Sequence, residues 1–274
     1  MAQSLEQFLA IPPDPQFFHV WPLLPRQGKL FIGAEAKSLK SMLALNMAYE
    51  LAEGLPVLGC FKTSGEKRVL VIEQEIGQQR LQERLRKIHS QRGGVKVSDN
   101  LWVVSKDLGA RLDTQEGLSI IRGHIEQAAP HVIVFDPLRK FHTQDEDSST
   151  QMGALMRVID GLHEQYDIAT IIVHHHGKPR EDRQRNSPVN LRGSSVLYDE
   201  GDSYVTVTRP DWRNHDLIQL SFVLRSAEDP HPMRLQLDPA TLTFGKVLYA
   251  KSKTDKGTRQ DSGSAVPEGR GEMA

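Results

Sequence analysis

Four short apolar runs place the tightest limit on how this chain can fold. Residues 30–33, 69–72, 132–135 and 168–173 are continuous and apolar, with no polar alternation. A strand of that kind is covered on both faces, as inside a parallel sheet. The segments between these runs have helical periodicity. Residues 41–53 carry Leu43, Ala44, Met47, Ala48 and Leu51 on one face and end at Gly54. Leu81, Leu85 and Ile88 repeat at helical spacing ahead of Gly93-Gly94, and residues 114–129 read as a further helix. Met152, Leu155, Met156, Ile159 and Leu162 form another stripe, while residues 101–104 read as a strand. Strands alternating with amphipathic helices predict an α/β fold: a mainly parallel sheet flanked by helices. After residue 200 the pattern changes to short strands at 204–208, 217–224, 233–237 and 242–248, joined by turn-forming residues. These predict an antiparallel extension of the same sheet.

The remaining segments set the domain plan. Residues 1–25 read as an arm: a short helical piece at 4–9, then Ile11-Pro12-Pro13-Asp14-Pro15, where proline prevents regular structure. Phe17, Phe18, Val20, Trp21 and Leu23 need a packing partner on this subunit or on a neighbour. Residues 26–250 form the core domain, and 251–274, rich in Lys, Ser, Gly, Asp and Glu, read as a disordered tail. A net charge of −1 excludes a polyanion binder that works through whole-molecule charge, so any nucleic-acid surface is local. The single cysteine, Cys60, rules out an intramolecular disulfide, reads as a small buried filler and fits a reducing cytoplasm. No apolar run approaches a membrane span and no basic-then-apolar leader opens the chain, so the expected location is cytoplasmic.

Chemistry concentrates where strands end. The first run leads into Ala34-Glu35-Ala36-Lys37-Ser38-Leu39-Lys40-Ser41 and a helix beginning near Met42. Strand, tight loop, Lys-Ser and helix is the layout of a phosphate-binding P-loop. Backbone N–H groups wrap the phosphates, Lys reaches the terminal phosphates, and Ser ligates Mg²⁺. The expected glycines fall at Ala34 and Leu39, and Leu39 puts a bulky side chain where such a loop normally closes on phosphate.

Ligands in an open parallel sheet lie beyond the carboxyl ends of the strands. The run 132–135 ends in Asp136, the pattern of a carboxylate that holds a Mg²⁺-bound water. The run 69–72 leads to Glu73-Gln74-Glu75, where either glutamate can polarise an attacking water. The run 168–173 ends in His174-His175-His176. Sequential residues on a strand point to opposite faces, so this trio makes a poor metal chelate and a better γ-phosphate sensor. The loop that follows carries Lys178, Arg180, Arg183 and Arg185 against Glu181 and Asp182, a basic segment suited to a phosphodiester backbone.

Taken together, these motifs resemble the RecA-like P-loop ATPases of the plasmid RepA type, which are ring-forming replicative helicases found on plasmids and phages. The likeness is carried by Val69-Leu70-Val71-Ile72-Glu73-Gln74-Glu75, Val134-Phe135-Asp136-Pro137-Leu138-Arg139-Lys140-Phe141-His142, His174-His175 and Arg192-Gly193-Ser194-Ser195-Val196-Leu197. Lys37 fits a P-loop version with Lys before the second glycine. The resemblance implies ATP and Mg²⁺ as cofactors, Glu75 as the catalytic glutamate, His175 as the sensor and Arg192 as an arginine finger reaching a neighbour's nucleotide. Arg225 is a second candidate for that contact. It also implies a homo-oligomeric ring, a hexamer, acting on single-stranded DNA in replication, with a primase or initiator as partner. Two other outcomes stay open: a nucleotide-binding scaffold whose hydrolysis Leu39 has weakened, and a RecA-like recombination or loading ATPase that does not unwind.

Overall fold

The computed structural model describes residues 2–91, 99–175 and 196–247. The chain begins with a short helix, α1 (Leu5–Leu9), capped by Ser4, and a small hairpin of β1 (Phe18–Val20) and β2 (Leu24–Pro25). A two-face-buried strand, β3 (Lys29–Ala34), then feeds α2 (Lys40–Ala52). There follow β4 (Val69–Glu73), α3 (Gln78–Gln91), β5 (Leu101–Ser105), α4 (Gln115–Ala128), β6 (Val132–Asp136), α5 (Ser149–Tyr166) and β7 (Ala169–His175). Last come α6 (Val196–Glu200), β8 (Ser203–Thr208), β9 (Leu217–Leu224), β10 (Met233–Leu237) and β11 (Phe244–Val247).

The main sheet has nine strands in the order β11-β10-β9-β8-β3-β7-β6-β4-β5. From β8 to β5 neighbouring strands run parallel, while β9, β10 and β11 add the expected antiparallel extension. β6 and β7 lie between β3 and β4, so consecutive strands diverge at this point and leave a crevice at their carboxyl ends. One apolar layer packs α2 and α3 on the sheet through Leu43, Met47, Leu81 and Ile88. The other packs α4, α5 and α6 through Ile121, Ile125, Met152, Ile159 and Leu197.

Three local expectations change. The stripe on α2 predicts one buried face, yet the helix is buried nearly all round, Leu45, Asn46, Tyr49 and Glu50 included. Two of its buried polar side chains are bonded: Asn46 Nδ2 donates to the Met42 and Leu242 carbonyls at 2.9 Å, and a Glu50 oxygen accepts Leu58 N–H at 2.8 Å. In the arm, Val20, Leu23 and Leu24 join the core, whereas Phe17 and Trp21 are exposed. Cys60 is exposed rather than buried, because it sits in the turn between the bridged residues Val57 and Phe61. The Gly93-Gly94 pair and the tail at 251–274 lie outside the described residues.

Helix α4 supplies a sign test of packing. A Cβ at Gly117 would stand 2.4 Å from the Arg111 backbone nitrogen, whereas one at Gly123 meets nothing within 4 Å. Gly123→Ala should raise stability by up to ~1 kcal/mol through helix propensity. Gly117→Ala should lower it by about 1–3 kcal/mol, because backbone must move. Thermal melts of the two variants check this.

Candidate active site

The strand register lines up the chemistry. Ala34 pairs with His175 on one side of β3 and with Val207 on the other, and Glu73 pairs with Asp136. The ends of β3, β7, β6 and β4 therefore open on one edge of the sheet. A cleft of about 420 Å³ lies there, lined by Lys37, Ser38, Leu39, Lys40, Ser41, Met42, Glu73, Glu75, Ile76, Arg84 and Arg209.

The loop between β3 and α2 is held by its own groups. Ser38 Oγ donates to the Glu35 carbonyl at 2.5 Å. Glu35, Ala36 and Lys37 are exposed around it, and Ala34 is buried. Lys37 and Leu39 both adopt positive φ, 60° and 64°. Leu39 thus takes the left-handed conformation that glycine takes easily and other residues take at a cost of roughly 1–2 kcal/mol. Its side chain packs on the core layer beneath α2, which offsets part of that strain, and it also lines the cleft. Leu39 caps α2 with no side-chain hydrogen bond, so the first-turn N–H groups remain for an anion.

Ser41 Oγ donates to Asp136 Oδ1 at 3.0 Å, joining the start of α2 to the end of β6. Burial pushes the Asp136 carboxyl up to about 7; the Ser41 hydroxyl opposes the shift, Glu73 and Glu75 add to it, and Lys40 opposes it. Burial likewise lowers the Lys40 ammonium, against the attraction of Asp136 and Glu75. A hydroxyl and a carboxylate side by side are hard oxygen donors that suit Mg²⁺, an ion that keeps most of its waters and takes few protein ligands. Among the described residues no group of three or more His, Cys, Asp or Glu is placed to hold a metal ion.

The two glutamates part company. Glu73 is buried at the end of β4, and its carboxylate accepts the N–H groups of Glu75 and Ile76 at 2.8–3.0 Å. It serves as a clamp on the turn, and burial raises its pKa against those two bonds. Glu75, held by that turn, extends into the cleft with Oε1 4.0 Å from His175 Nε2. Sequence spacing had left the pair equivalent.

Arg225 lies elsewhere. Its N–H donates to the Asp202 carbonyl and its guanidinium to the Asp199 carbonyl, at the amino-terminal end of β8 and away from its own P-loop. Arg192, Lys178, Arg180, Arg183 and Arg185 lie outside the described residues. Two arginines in the cleft escaped the sequence reading. Arg209 directly follows β8 and reaches the cleft because β8 lies parallel to β3; Arg84 sits between Leu81 and Leu85 on α3.

Residues 2–181 match the profile of the AAA_25 family, described as an AAA domain. The chain belongs to this family. No curated protein sequence matches it. Among solved structures, the AAA_25 chain superposes on one described as an ATPase domain with a TM-score of 0.62 and 16% identity, over 81% of this chain and 86% of that one. A DnaB-like replicative helicase, solved with its interactions with primase, gives 0.58 and 16%, over 80% of this chain and 57% of that one. A KaiC-like protein from Pyrococcus horikoshii OT3 gives 0.52 and 11%, over 88% and 100%. The shared feature is the RecA-like ATPase fold. No helix among the described residues is long and apolar enough to cross a membrane.

Two outcomes test the site. Leu39→Gly should keep affinity for a fluorescent ATP analogue within about twofold, whereas Leu39→Val, β-branched and resistant to positive φ, should weaken it roughly tenfold. The second concerns pH. With Asp136 near 7 in the folded, nucleotide-free protein and near 3.8 in the unfolded chain, the fold holds an extra proton between those values. Its contribution to stability therefore falls as pH rises from about 4 to about 7. His19 and His163, which burial lowers to about 4, act in the opposite direction and cancel in a comparison with Asp136→Asn. Melts in chelator at pH 5 and pH 8 should show wild type losing about 2–3 kcal/mol relative to that variant, the part of the shift that lies between pH 5 and 7.

Proposed function

We propose that the protein is a Mg²⁺-dependent ATPase that works as a ring, coupling hydrolysis to movement along single-stranded DNA. The observation that supports this best is the division of labour at the end of β4: Glu73 is bound to backbone, and Glu75 reaches into the P-loop cleft beside His175. A carboxylate there can orient and deprotonate the water that attacks the γ-phosphate. Lys40 and the amides of residues 34–42 hold the β- and γ-phosphates. Ser41 and Asp136 would hold Mg²⁺, which would neutralise charge on the phosphates. Arg84 and Arg209 add positive charge to the same cleft.

His175 senses the γ-phosphate and moves the following loop, in which Lys178, Arg180, Arg183 and Arg185 contact DNA. Arg192 from a neighbouring subunit stabilises transition-state charge. Arg225, facing away from its own cleft, acts on a neighbour's nucleotide or not at all. The likeness to a DnaB-like replicative helicase solved with its interactions with primase supports a primase or initiator as partner; the hexameric ring and the cytoplasmic location are part of the same proposal. The scaffold alternative rests on Leu39; the packing of its side chain against the core layer favours the hydrolytic reading over it.

Steady-state ATPase assays with and without single-stranded DNA, run with light scattering, test the proposal. Wild type should turn over as an oligomer with DNA stimulation, and Glu75→Gln should lose about 10²-fold or more in kcat while still binding ATP, as removal of a catalytic base does. Tight binding without turnover in wild type would instead identify a scaffold. Turnover without strand displacement would identify a loading or recombination ATPase.

A further inference from the structure

We propose that Glu146 is a positioning residue for His175: acting through His174, it ties the carboxyl end of β7 to the segment that follows β6. The inference rests on the ATPase reading, and it begins with strand alternation. Ile172 packs in the layer of α4 and α5, and Val173 in the layer of α2. His174 therefore continues the first face and His175 the second. His174 is fully buried, and His175 emerges beside Glu75. One strand end thus carries a sensor on the nucleotide face and a buried imidazole on the opposite face.

A charged neighbour of that buried imidazole comes from the segment after Asp136. This segment is anchored by Phe141, whose ring lies 4.9 Å from that of Phe135 at 75°. It returns Glu146 beneath β7. Glu146 is 8% exposed, and its Oε1 lies 3.9 Å from both His174 Nδ1 and His142 Nε2. Its other oxygen lies 3.9 Å from Arg139 Nε, and Arg139 also donates to the His142 carbonyl at 3.3 Å. Burial lowers the pKa of His142, so Arg139 is the fixed cation for this carboxylate. A buried carboxylate within 3.9 Å of these groups is destabilised if they move away, so it favours a single arrangement of the strand end. The same segment begins at Asp136 and the same strand end carries His175. Glu146 therefore links the metal-side carboxylate to the sensor from the face that nucleotide does not touch.

The experiment compares wild type, Glu146→Gln, Glu146→Asp, His175→Ala and the double variant, in the full-length protein. ATP turnover is read alongside Tm and hydrogen exchange at the amides of Val173, His174 and His175. Glu146→Gln should lower kcat about tenfold with KM for ATP within about twofold, the pattern of a loss felt in the transition state. Glu146→Asp should recover part of it. In the His175→Ala background the same change should cost less than about twofold, because coupled residues are not additive. Exchange at the end of β7 should speed up in Glu146→Gln. Equal losses with and without His175, or unchanged kcat, would overturn the proposal. If wild type proves not to hydrolyse ATP, the functional reading fails by itself. Exchange then decides the tie: faster exchange upholds it, unchanged exchange overturns it. If Glu146→Gln fails to fold, Glu146→Asp carries the same comparisons.

Discussion

The hydrogen bond from Ser41 to Asp136 spans 95 residues of sequence, and the rest of the site is arranged around it. It exists only because β7 alone separates β3 from β6 and because both strands end on the same edge of the sheet. A one-residue slip of β6 against β7 would turn Asp136 to the other face. The continuous burial of β3, β6 and β7 on both faces opposes such a slip. The carboxylate is therefore placed by apolar packing rather than by polar partners. Its raised pKa reflects the same burial: a lone negative charge at this position is costly.

Leu39 illustrates a different compromise. A glycine would take φ of 64° without strain and add nothing else. The leucine takes the strained conformation and recovers stability by packing against the layer that buries α2. Because α2 is enclosed nearly all round, the loop that starts it has a rigid base, and a side chain at the cap position has apolar surface to rest on. The departure from the usual glycine is thus coherent with the unusual burial of the helix it precedes.

The parts of this architecture legible in the sequence were those set by local pattern. The buried strands show as unbroken apolar runs, and Asp136 and His175 show as polar residues ending such runs. What remained hidden depended on distant pairing. Arg209 belongs to the cleft only because β8 lies against β3, an adjacency that spans about 170 residues and that no local spacing encodes. The choice between Glu73 and Glu75 depended on which carboxylate the turn's own N–H groups would capture, and period-two alternation places both on one face. The enclosure of α2 was invisible because the surfaces covering it come from the hairpin, the turn at 57–61 and the loop containing Leu242.

The two histidines at the end of β7 show why adjacent identical residues can carry different work. Alternation sends one side chain to each face, so His175 meets the cleft while His174 meets the buried side. A strand end fixed only from the nucleotide face would be free to relax whenever nucleotide left. One fixed from behind has a defined resting position, so that a ligand on the front face displaces it from a single state rather than from an ensemble. For a residue whose proposed task is to report on one phosphate, that difference matters. A ligand shifts an equilibrium only by its differential affinity for the two states, and a well-defined resting state makes that difference large. The carboxylate of Glu146, buried and shared among His174, His142 and Arg139, is placed to supply it.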